Sequence, residues 1–365
     1  MKIITQLLRV LVGITFVFSG FVKLVDPLGS TYKFEEYFSK EVLNLTFLSP
    51  LALEFSVILI LAELLLGVML LVGFKSKFTT FSLLFLISLF LFLTWYSANY
   101  NKVTDCGCFG DAITLTTWQT FYKNVVLIFM ILWLVIKQKD IKPLLGNFMA
   151  KSLTVLSFVA SVFILYQVLT YLPIIDFRPY AIGKNISEGM RIPDDAQKAV
   201  YKDTWIYKVN GVAKTYITQE APWNIPGAVF VSRKTEMLKA GYQPPIHDFT
   251  MEKDGENRTE KLLQEPKLML IVMYNIDKST KNGLNQIKNL SDKALANGYQ
   301  VFAMSASPEA DFLKIKTDNQ LNFDLLFCDE TTLKTMIRAN PGVIMLNKGT
   351  ITEKWSWRSA KKIEF

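Results

Sequence analysis

Two cysteines separated by one glycine are the residues of this sequence best suited to chemistry. Cys106 and Cys108 lie in the segment DCGCFGD, between two strongly apolar runs, with an aspartate on each side of the pair. Three kinds of role are open to such a pair. The cysteines could exchange a disulfide with another protein, bind a metal ion together with the aspartates, or act as small apolar residues of a tight turn.

The local chemistry disfavours a metal site but does not choose between disulfide exchange and a structural turn. A disulfide between Cys106 and Cys108 would close a very small, strained ring, which makes the bond labile and suits exchange, and Gly107 gives the backbone the freedom that the turn needs. Against this, Asp105 and Asp111 would raise the thiol pKa values if they lie close. A zinc or copper site would have two sulfurs and two carboxylates but no nearby histidine. We therefore predict no metal.

Five apolar runs are each long enough to cross a bilayer. Three precede the Cys-Gly-Cys segment and two follow it. Of the 365 residues, 51% are hydrophobic and 20% are charged, and the apolar runs are concentrated before residue 174. This uneven distribution predicts a helical membrane half and a globular outer half. The predicted spans are Ile4–Val25, Leu51–Gly73, Phe78–Ala98, Ile113–Ile136 and Leu153–Leu172.

Lysines in the short loops predict the orientation of the spans. Lys75 and Lys77 lie between spans two and three, and four more lysines lie around the loop between spans four and five. Because positive loops stay in the cytoplasm, the N-terminus is expected inside, and the Cys-Gly-Cys segment and the outer half are expected outside. We expect a bacterial inner membrane protein with a periplasmic C-terminal half. The net charge of +8 then reflects membrane orientation rather than nucleic-acid binding.

Four ionisable residues inside the spans are expected to form pairs, since charges in a membrane are costly unless they are paired or functional. Counting along the helices pairs Arg9 with Glu63 and Lys23 with Glu54. Lys123 lies in the outer half of span four, where its side chain could extend to the membrane surface or support a cysteine thiolate.

The loop after span one has its own apolar pattern. Phe34, Tyr37, Phe38 and Leu43 recur at near-helical spacing with charged residues between them. This pattern predicts an amphipathic helix, which could lie in the membrane interface or cap the bundle.

The membrane half resembles a known family. The segment FSGFVKLVDPLG at the end of span one and DCGCFGD before span four resemble the DoxX/MauE-like membrane proteins over residues 1–140. The resemblance implies a four-helix bundle similar to that of vitamin K epoxide reductase, to which this chain adds a fifth span. It also implies quinone-coupled or thiol redox steps, or the maturation of secreted proteins, so that quinone is a candidate cofactor.

The outer half shows two further patterns. Residues 175–243 contain alternating segments around Asn210-Gly211, which predict a β-hairpin in a small β-rich linker domain. Residues 244–365 alternate strands and helices and end in a hairpin at Lys348-Gly349, which resembles the thioredoxin-like fold of TlpA-type and peroxiredoxin-type proteins.

The thioredoxin-like segment lacks the cysteine pair of thiol-active relatives, since MYNIDKSTKNG stands at the corresponding position. Cys328 lies in an apolar strand and is expected to be a buried structural thiol. Asn340-Pro341 matches the position of the cis-proline loop in that fold, and the resemblance implies that this loop is a candidate docking site for a partner.

We therefore expect an α-helical membrane bundle with a C-terminal α/β thioredoxin-like domain. The domains would be residues 1–140, the fifth span within 141–174, the linker domain 175–243 and the thioredoxin-like domain 244–365. The chain would be a thiol-redox or maturation factor for a periplasmic protein partner, acting through Cys106 and Cys108 as an oxidoreductase accessory. The alternative is a membrane anchor or assembly scaffold without catalysis, whose thioredoxin-like domain binds a partner.

Overall fold

In the part of the chain that the structure describes, five helices are long and apolar enough to span a membrane. The structure, a computed structural model, describes residues 1–103, 109–113, 115–144, 146–239 and 241–365. The helices that are long and apolar enough to span a membrane are Lys2–Val25, Thr46–Val72, Ser76–Tyr100, Thr117–Ile136 and Gly146–Thr170. All five predicted runs are therefore helical, with ends that differ from the prediction by at most about two helical turns.

The membrane half contains one additional, shorter helix. Its helices in chain order are α1 (Lys2–Val25), α2 (Pro27–Phe38), α3 (Ala52–Val72), α4 (Ser76–Tyr100), α5 (Thr117–Ile136) and α6 (Gly146–Thr170). A 3₁₀ segment, Thr46–Leu51, leads into α3. Helix α5 begins at Thr117, later than the predicted Ile113, because Thr116 and Gln119 form a capping box that fixes its first turn.

Helices α1 and α3 approach each other at glycines. A Cβ atom on Gly20 would lie only 2.7 Å from the backbone nitrogen of Leu64, and one on Gly67 would lie 2.8 Å from the nitrogen of Val17. Such backbone contact is typical of small residues in membrane helix pairs. It fixes the register of the two helices, so that residue 20 of α1 is level with residue 64 of α3.

Helix α2 caps the outer end of the bundle. Asp26 caps its N-terminus by accepting a hydrogen bond from the Gly29 amide, and proline follows at the first helical position. Its C-terminal Tyr37 and Phe38 are buried, and the Tyr37 hydroxyl lies 3.0 Å from the Ser97 hydroxyl of α4. Of the two predicted placements, α2 therefore adopts the cap on the bundle rather than a position in the lipid interface.

A small antiparallel sheet follows the short helix α7 (Ile186–Met190). It has the strand order β2-β1-β3, and its strands are β1 (Val200–Val209), β2 (Val212–Ile217) and β3 (Val229–Lys239). The predicted hairpin at Asn210-Gly211 is confirmed, since both residues have positive φ angles, 52° and 81°, as the tight turn between β1 and β2 requires.

The remaining strands form a seven-stranded mixed sheet in the order β10-β9-β6-β7-β8-β4-β5. Strands β6, β7 and β8 are parallel, whereas β9 is antiparallel to β6 and forms a hairpin with β10 through Lys348-Gly349. The strands are β4 (Glu252–Lys253), β5 (Glu256–Asn257), β6 (Leu268–Val272), β7 (Gln300–Ser305), β8 (Asp324–Phe327), β9 (Gly342–Asn347) and β10 (Thr350–Ser356).

Helices cover both faces of this sheet. They are α8 (Thr259–Leu263), α9 (Lys281–Ala296), α10 (Glu309–Asp318) and α11 (Glu330–Met336). Alternate residues of β6 point to opposite sides: Leu268 and Leu270 join the core beneath α11, whereas Met269 and Ile271 join the core beneath α9 and α10. The outer half therefore contains an α/β unit with a fully buried central strand.

Candidate functional site

The predicted redox pair, Cys106 and Cys108, lies outside the described residues, but the three residues after it are described. The Phe109 ring packs against the Phe18 ring of α1 with 5.5 Å between their centroids. Gly110 lies beside Val22, and Asp111 lines a cavity at the outer end of the bundle. The chain therefore leaves the cysteine segment along the outer end of α1.

Lys123 of α5 lies over the ring of Phe109, the first described residue after the cysteine pair. Its ammonium nitrogen is 4.2 Å from the centroid of the Phe109 ring, which is close enough for a cation–π interaction. The cation is thus held next to the residue that follows Cys108. This position is compatible with the predicted support of a thiolate, which stays a prediction.

The cavity occupies about 640 Å³ between the bundle and the α/β unit. This volume is within the range of small-molecule sites. Its membrane wall is apolar and includes Val22, Leu59, Leu89, Phe90 and Leu93. Its outer wall is charged and includes Asp26, Asp176, Arg178, Lys334 and Arg338. The cavity is therefore amphipathic, with its polar end where the two halves of the chain meet.

Lys23 lies on the membrane wall of the cavity, where it forms a buried ion pair with Glu63. Its Nζ donates to both carboxylate oxygens of Glu63, at 2.9 and 2.8 Å, and to the Ser19 hydroxyl at 2.7 Å. The Glu63 side chain is fully buried, and that of Lys23 is 7% exposed. The predicted pairing of Lys23 with Glu54 is wrong, because Glu54 is exposed in the first turn of α3 and the α1–α3 register brings Glu63 to Lys23.

The predicted pairing of Arg9 with Glu63 is also wrong. Arg9 is 2% exposed and donates to the carbonyl oxygens of Leu70 and Leu71 at 2.8 and 2.6 Å, and to that of Lys142 at 3.1 Å. Leu70 and Leu71 lie in the last turn of α3, whose carbonyls have no partners from a following helical turn, and the Leu70 carbonyl also accepts from the Gly73 amide at 3.2 Å. Arg9 therefore caps the C-terminus of α3, about two helical turns from Glu63.

Comparison with known proteins agrees with this architecture. Residues 1–137 match the family model described as methylamine utilisation protein MauE. Residues 1–137 form a MauE-like membrane region. Protein TlpB of Flavobacterium psychrophilum is 31% identical over 133 residues, which make up 35% of this chain and 35% of that protein. No solved structure matches the chain. With its five apolar helices, the chain is a multi-pass membrane protein.

The corner that closes α1 in the MauE-like region binds the outer half directly. Both oxygens of the Asp26 carboxylate accept hydrogen bonds from Arg338 at the end of α11, and the nearest guanidinium contact is 2.8 Å. Burial by itself raises the pKa of Asp26, but the charge and hydrogen bonds of Arg338 outweigh burial, so the pKa lies below its usual value. Arg178 adds to this lowering. Asp26 is therefore ionised between two arginines.

A second charged group fixes the segment after α6 to the α/β unit. Asp176 accepts from Arg178 at 2.7 Å and from Lys354 of β10 at 2.6 Å, and Arg178 also donates to the carbonyl of Thr335 at 2.9 Å. Burial and the charge of Arg178 outweigh the attraction of Asp176 and lower the pKa of Lys354 to about 8. Residues from Asp176 onward are therefore tied to the outer half.

The predicted docking loop has a cis peptide bond between Asn340 and Pro341. The Asn340 side chain donates to the carbonyl of Asn275 at 2.7 Å and accepts from the Asn275 amide at 3.3 Å. Lys334 connects this face to α2, since its ammonium is 4.8 Å from the Tyr32 ring and 6.0 Å from the Tyr274 ring. The face of the α/β unit near the docking loop is thus turned toward the MauE-like region.

Cys328 is a buried structural thiol, as predicted. It is 0% exposed in the core beneath α11, and burial raises its pKa to about 12. A thiol with this pKa is almost fully protonated near neutral pH and is a poor nucleophile.

The cavity fits the shape of a quinone, the cofactor that the family resemblance implies. Leu89 lines the cavity and is also 41% exposed on the lipid-facing surface, so that an apolar tail could enter between the helices. Phe90 and Leu93 would contact the ring, and Thr94 and Lys23 are polar residues that line the cavity beside them. The residues present therefore fit a neutral ring with an isoprenoid tail.

Sequence reasoning did not identify Arg338 or the group around Asp176. Asp26 belonged to the motif that carried the family resemblance, and Arg338 precedes the Asn340-Pro341 loop by two residues. These were the available signals. Nothing in the spacing of two residues 312 positions apart indicates that they form an ion pair.

Proposed function

We propose that the protein is a thiol-redox or maturation factor of the bacterial inner membrane, which acts on an exported protein partner through Cys106 and Cys108. The observation that supports this proposal is the position of Phe109, Gly110 and Asp111. Gly110 and Asp111 line the cavity between the MauE-like region and the outer half, and Phe109, which directly follows the pair, packs against Phe18 of α1. The names of the matched family and relative do not define a reaction.

We propose that the α/β unit is a thioredoxin-like domain without its own redox centre. Its parallel strands β7, β6 and the antiparallel hairpin β9–β10 follow the order expected for that fold, and the segment after β6 carries no cysteine. Cys328 is buried and has a raised pKa. Of the three cysteines in the chain, only Cys106 and Cys108 are then suited to exchange.

In the proposed exchange, a thiolate of the partner attacks one sulfur of a Cys106–Cys108 disulfide. A mixed disulfide forms, and the other cysteine leaves as a thiolate. The second thiol of the partner then breaks the mixed disulfide, so the partner loses two electrons and two protons and the Cys106–Cys108 pair gains them. The same steps in reverse reduce a partner disulfide. A quinone bound in the cavity would accept two electrons and two protons from the reduced pair.

Lys123 would favour the thiolate form of the pair. Its ammonium nitrogen lies 4.2 Å from the centroid of the Phe109 ring. A nearby cation stabilises a thiolate and lowers the thiol pKa. Replacement of Lys123 by Met, which keeps an apolar stem of similar length, would raise the apparent pKa of the exchange reaction.

Trapping of the mixed disulfide tests the proposal. Cys106→Ser and Cys108→Ser each leave one thiol, so one of the two variants should accumulate a partner-linked species that disappears on reduction. Cys328→Ser is the matched control and should behave like the wild type. If neither single variant is ever linked to another protein, and the double serine variant retains full function in cells, the thiol proposal is wrong.

A non-catalytic anchor or assembly scaffold is the second candidate. This candidate is supported by contacts that fix two side chains near the predicted docking loop. Asn340 donates to the Asn275 carbonyl and Lys334 forms a salt bridge with Glu330, as expected for a rigid binding module. In this case, the outer half alone would determine partner capture. Capture that is unchanged by the double serine variant but lost on substitution at Asn340 would favour the scaffold.

A further inference from the structure

The outer half contacts the MauE-like region through few residues. Among the described residues, none of the helices α1–α6 packs extensively against α8–α11 or the seven-stranded sheet. Interfaces of this kind, small and polar, allow domains to move relative to each other. The position of the outer half over the cavity must therefore depend on the individual contacts that cross the boundary.

Asp26 is the centre of those contacts. Its carboxylate receives two guanidinium nitrogens of Arg338, at 2.8 and 2.9 Å, and the Arg338 side chain is only 6% exposed. Arg338 also contacts the Tyr32 ring from 5.2 Å and is stabilised by the charge of Asp111. One arginine of the outer half is thus bound at the corner between α1 and α2, by Asp26 and by Tyr32, and the charge of Asp111 acts on it from the turn that follows the cysteine segment.

A short connection separates the two halves. Helix α6 ends at Thr170, and from Asp176 onward the chain is bound to β10 through Lys354. Between these points lie five residues, 171–175, of which Leu172 packs against the core of the α/β unit, whereas Ile174 and Ile175 are exposed. Bending where α6 ends, before Leu172, would move the α/β unit and uncover the polar end of the cavity.

We propose that the outer half is a lid on the cavity and that the Asp26–Arg338 ion pair is the latch that holds it closed. The lid carries Lys334, Arg338 and Thr335 into the cavity wall, so opening removes that wall and admits water-soluble molecules to Asp111 and Lys23. The proposal concerns access alone and does not rest on thiol exchange by Cys106 and Cys108.

Labelling of a cysteine placed inside the cavity measures this opening. Ser30 of α2 lines the cavity and is half-buried. Ser30→Cys is made in a chain that also carries Cys106→Ser and Cys108→Ser, and the full-length protein in lipid nanodiscs is reacted with a charged, membrane-impermeant maleimide. Cys328 is fully buried and provides the unreactive background.

If the ion pair holds the lid closed, the cysteine at position 30 should be labelled slowly in this background. With Arg338→Gln or Asp26→Asn, labelling should be at least about tenfold faster, because each substitution breaks the buried charge pair. The charge-swapped pair Asp26→Arg with Arg338→Asp should restore slow labelling. Arg258→Gln is the control and should leave the rate unchanged, since the salt bridges of Arg258 in the described part of the chain are with Asp254 and Glu256, both in the outer half.

Two results would overturn the proposal. Labelling at the same rate in both single variants and in the parent would show that this pair does not hold the lid. Fast labelling in the singles and in the charge-swapped pair alike would show that the substitutions damage the domain rather than open a latch. If Arg338→Gln does not accumulate, Arg338→Lys takes its place and should give an intermediate rate, because lysine keeps the charge without the two-pronged contact.

Discussion

The Lys23 ammonium lies within 2.9 Å of both carboxylate oxygens of Glu63, where neither side chain is more than 7% exposed. The pair joins α1 to α3 at the wall of the cavity. Removal of one partner leaves a buried charge without compensation, which costs about 3–5 kcal/mol in comparable sites.

We expect Glu63→Gln and Lys23→Met each to lower the thermal unfolding midpoint of the detergent-solubilised protein. The double variant Lys23→Met with Glu63→Met should be more stable than the less stable single variant, since no unpaired charge remains. The half-buried pair Lys33–Glu36, with side chains 30% and 37% exposed, is the control, and its disruption should cost about 1 kcal/mol or less. Additive single effects in the double variant would contradict a direct ion pair.

The contacts of Arg9 predict a different pattern of stability changes at the C-terminus of α3. Arg9→Met removes the donors to the carbonyls of Leu70, Leu71 and Lys142. The Leu70 carbonyl keeps the Gly73 amide as a donor at 3.2 Å, and each buried acceptor that is left unpaired costs about 1–3 kcal/mol. Arg9→Lys should restore only part of the loss, because an ammonium cannot reach three carbonyls in a fixed fork. Thermal unfolding checks this, with the exposed Lys2→Met as the control. Full rescue by lysine would mean that charge alone matters.

Close packing of α1 on α3 predicts that Gly20→Ala destabilises the MauE-like region. The added Cβ atom meets the backbone of Leu64, which cannot move without the helix, and overpacking of this kind costs about 1–3 kcal/mol. Gly13→Ala is the matched control, since its Cβ atom meets mainly the flexible Leu71 side chain. Equal losses of thermal stability in the two variants would contradict the proposed register.

The lowered pKa of Lys354 predicts that the stability of the outer half depends on pH. Its pKa is lowered to about 8 in the folded protein, mainly by burial, from an ordinary lysine value of about 10.4. Between these pH values the unfolded chain binds more protons, so this residue's contribution to the free energy of unfolding rises with pH through that window. Below pH 8 both states are protonated and the contribution is constant.

The difference in unfolding midpoint between the wild type and Lys354→Met measures this contribution, because other titrating groups cancel. We expect the difference to be flat from pH 6 to about 7.5 and then to shift in favour of the wild type up to about pH 10. Lys348→Met, at the exposed turn before β10, serves as the control. A difference that declines above pH 8 would contradict a lowered pKa.

The elements that sequence predicted well are those set by local patterns. Span lengths follow from hydropathy, and the hairpins at Asn210-Gly211 and Lys348-Gly349 follow from turn residues with positive φ. The two predicted charge pairs within the membrane were wrong. They depend on the register of α1 against α3, which the backbone contact between Gly20 and Leu64 determines. The cavity could not be predicted either, since it exists only where a corner at Asp26 meets Arg338 from the far end of the chain.

The redox state of Cys106 and Cys108 in native membranes decides whether the pair exchanges disulfides. Intact membranes are treated with a maleimide that adds mass, either before or after a reductant, and the labelled cysteines are counted by mass spectrometry. The account predicts no labelling of the pair before reduction, two labels after reduction, and labelling of Cys328 only after denaturation. Full labelling of Cys106 and Cys108 without reductant, together with full cellular function of their double serine variant, would contradict it.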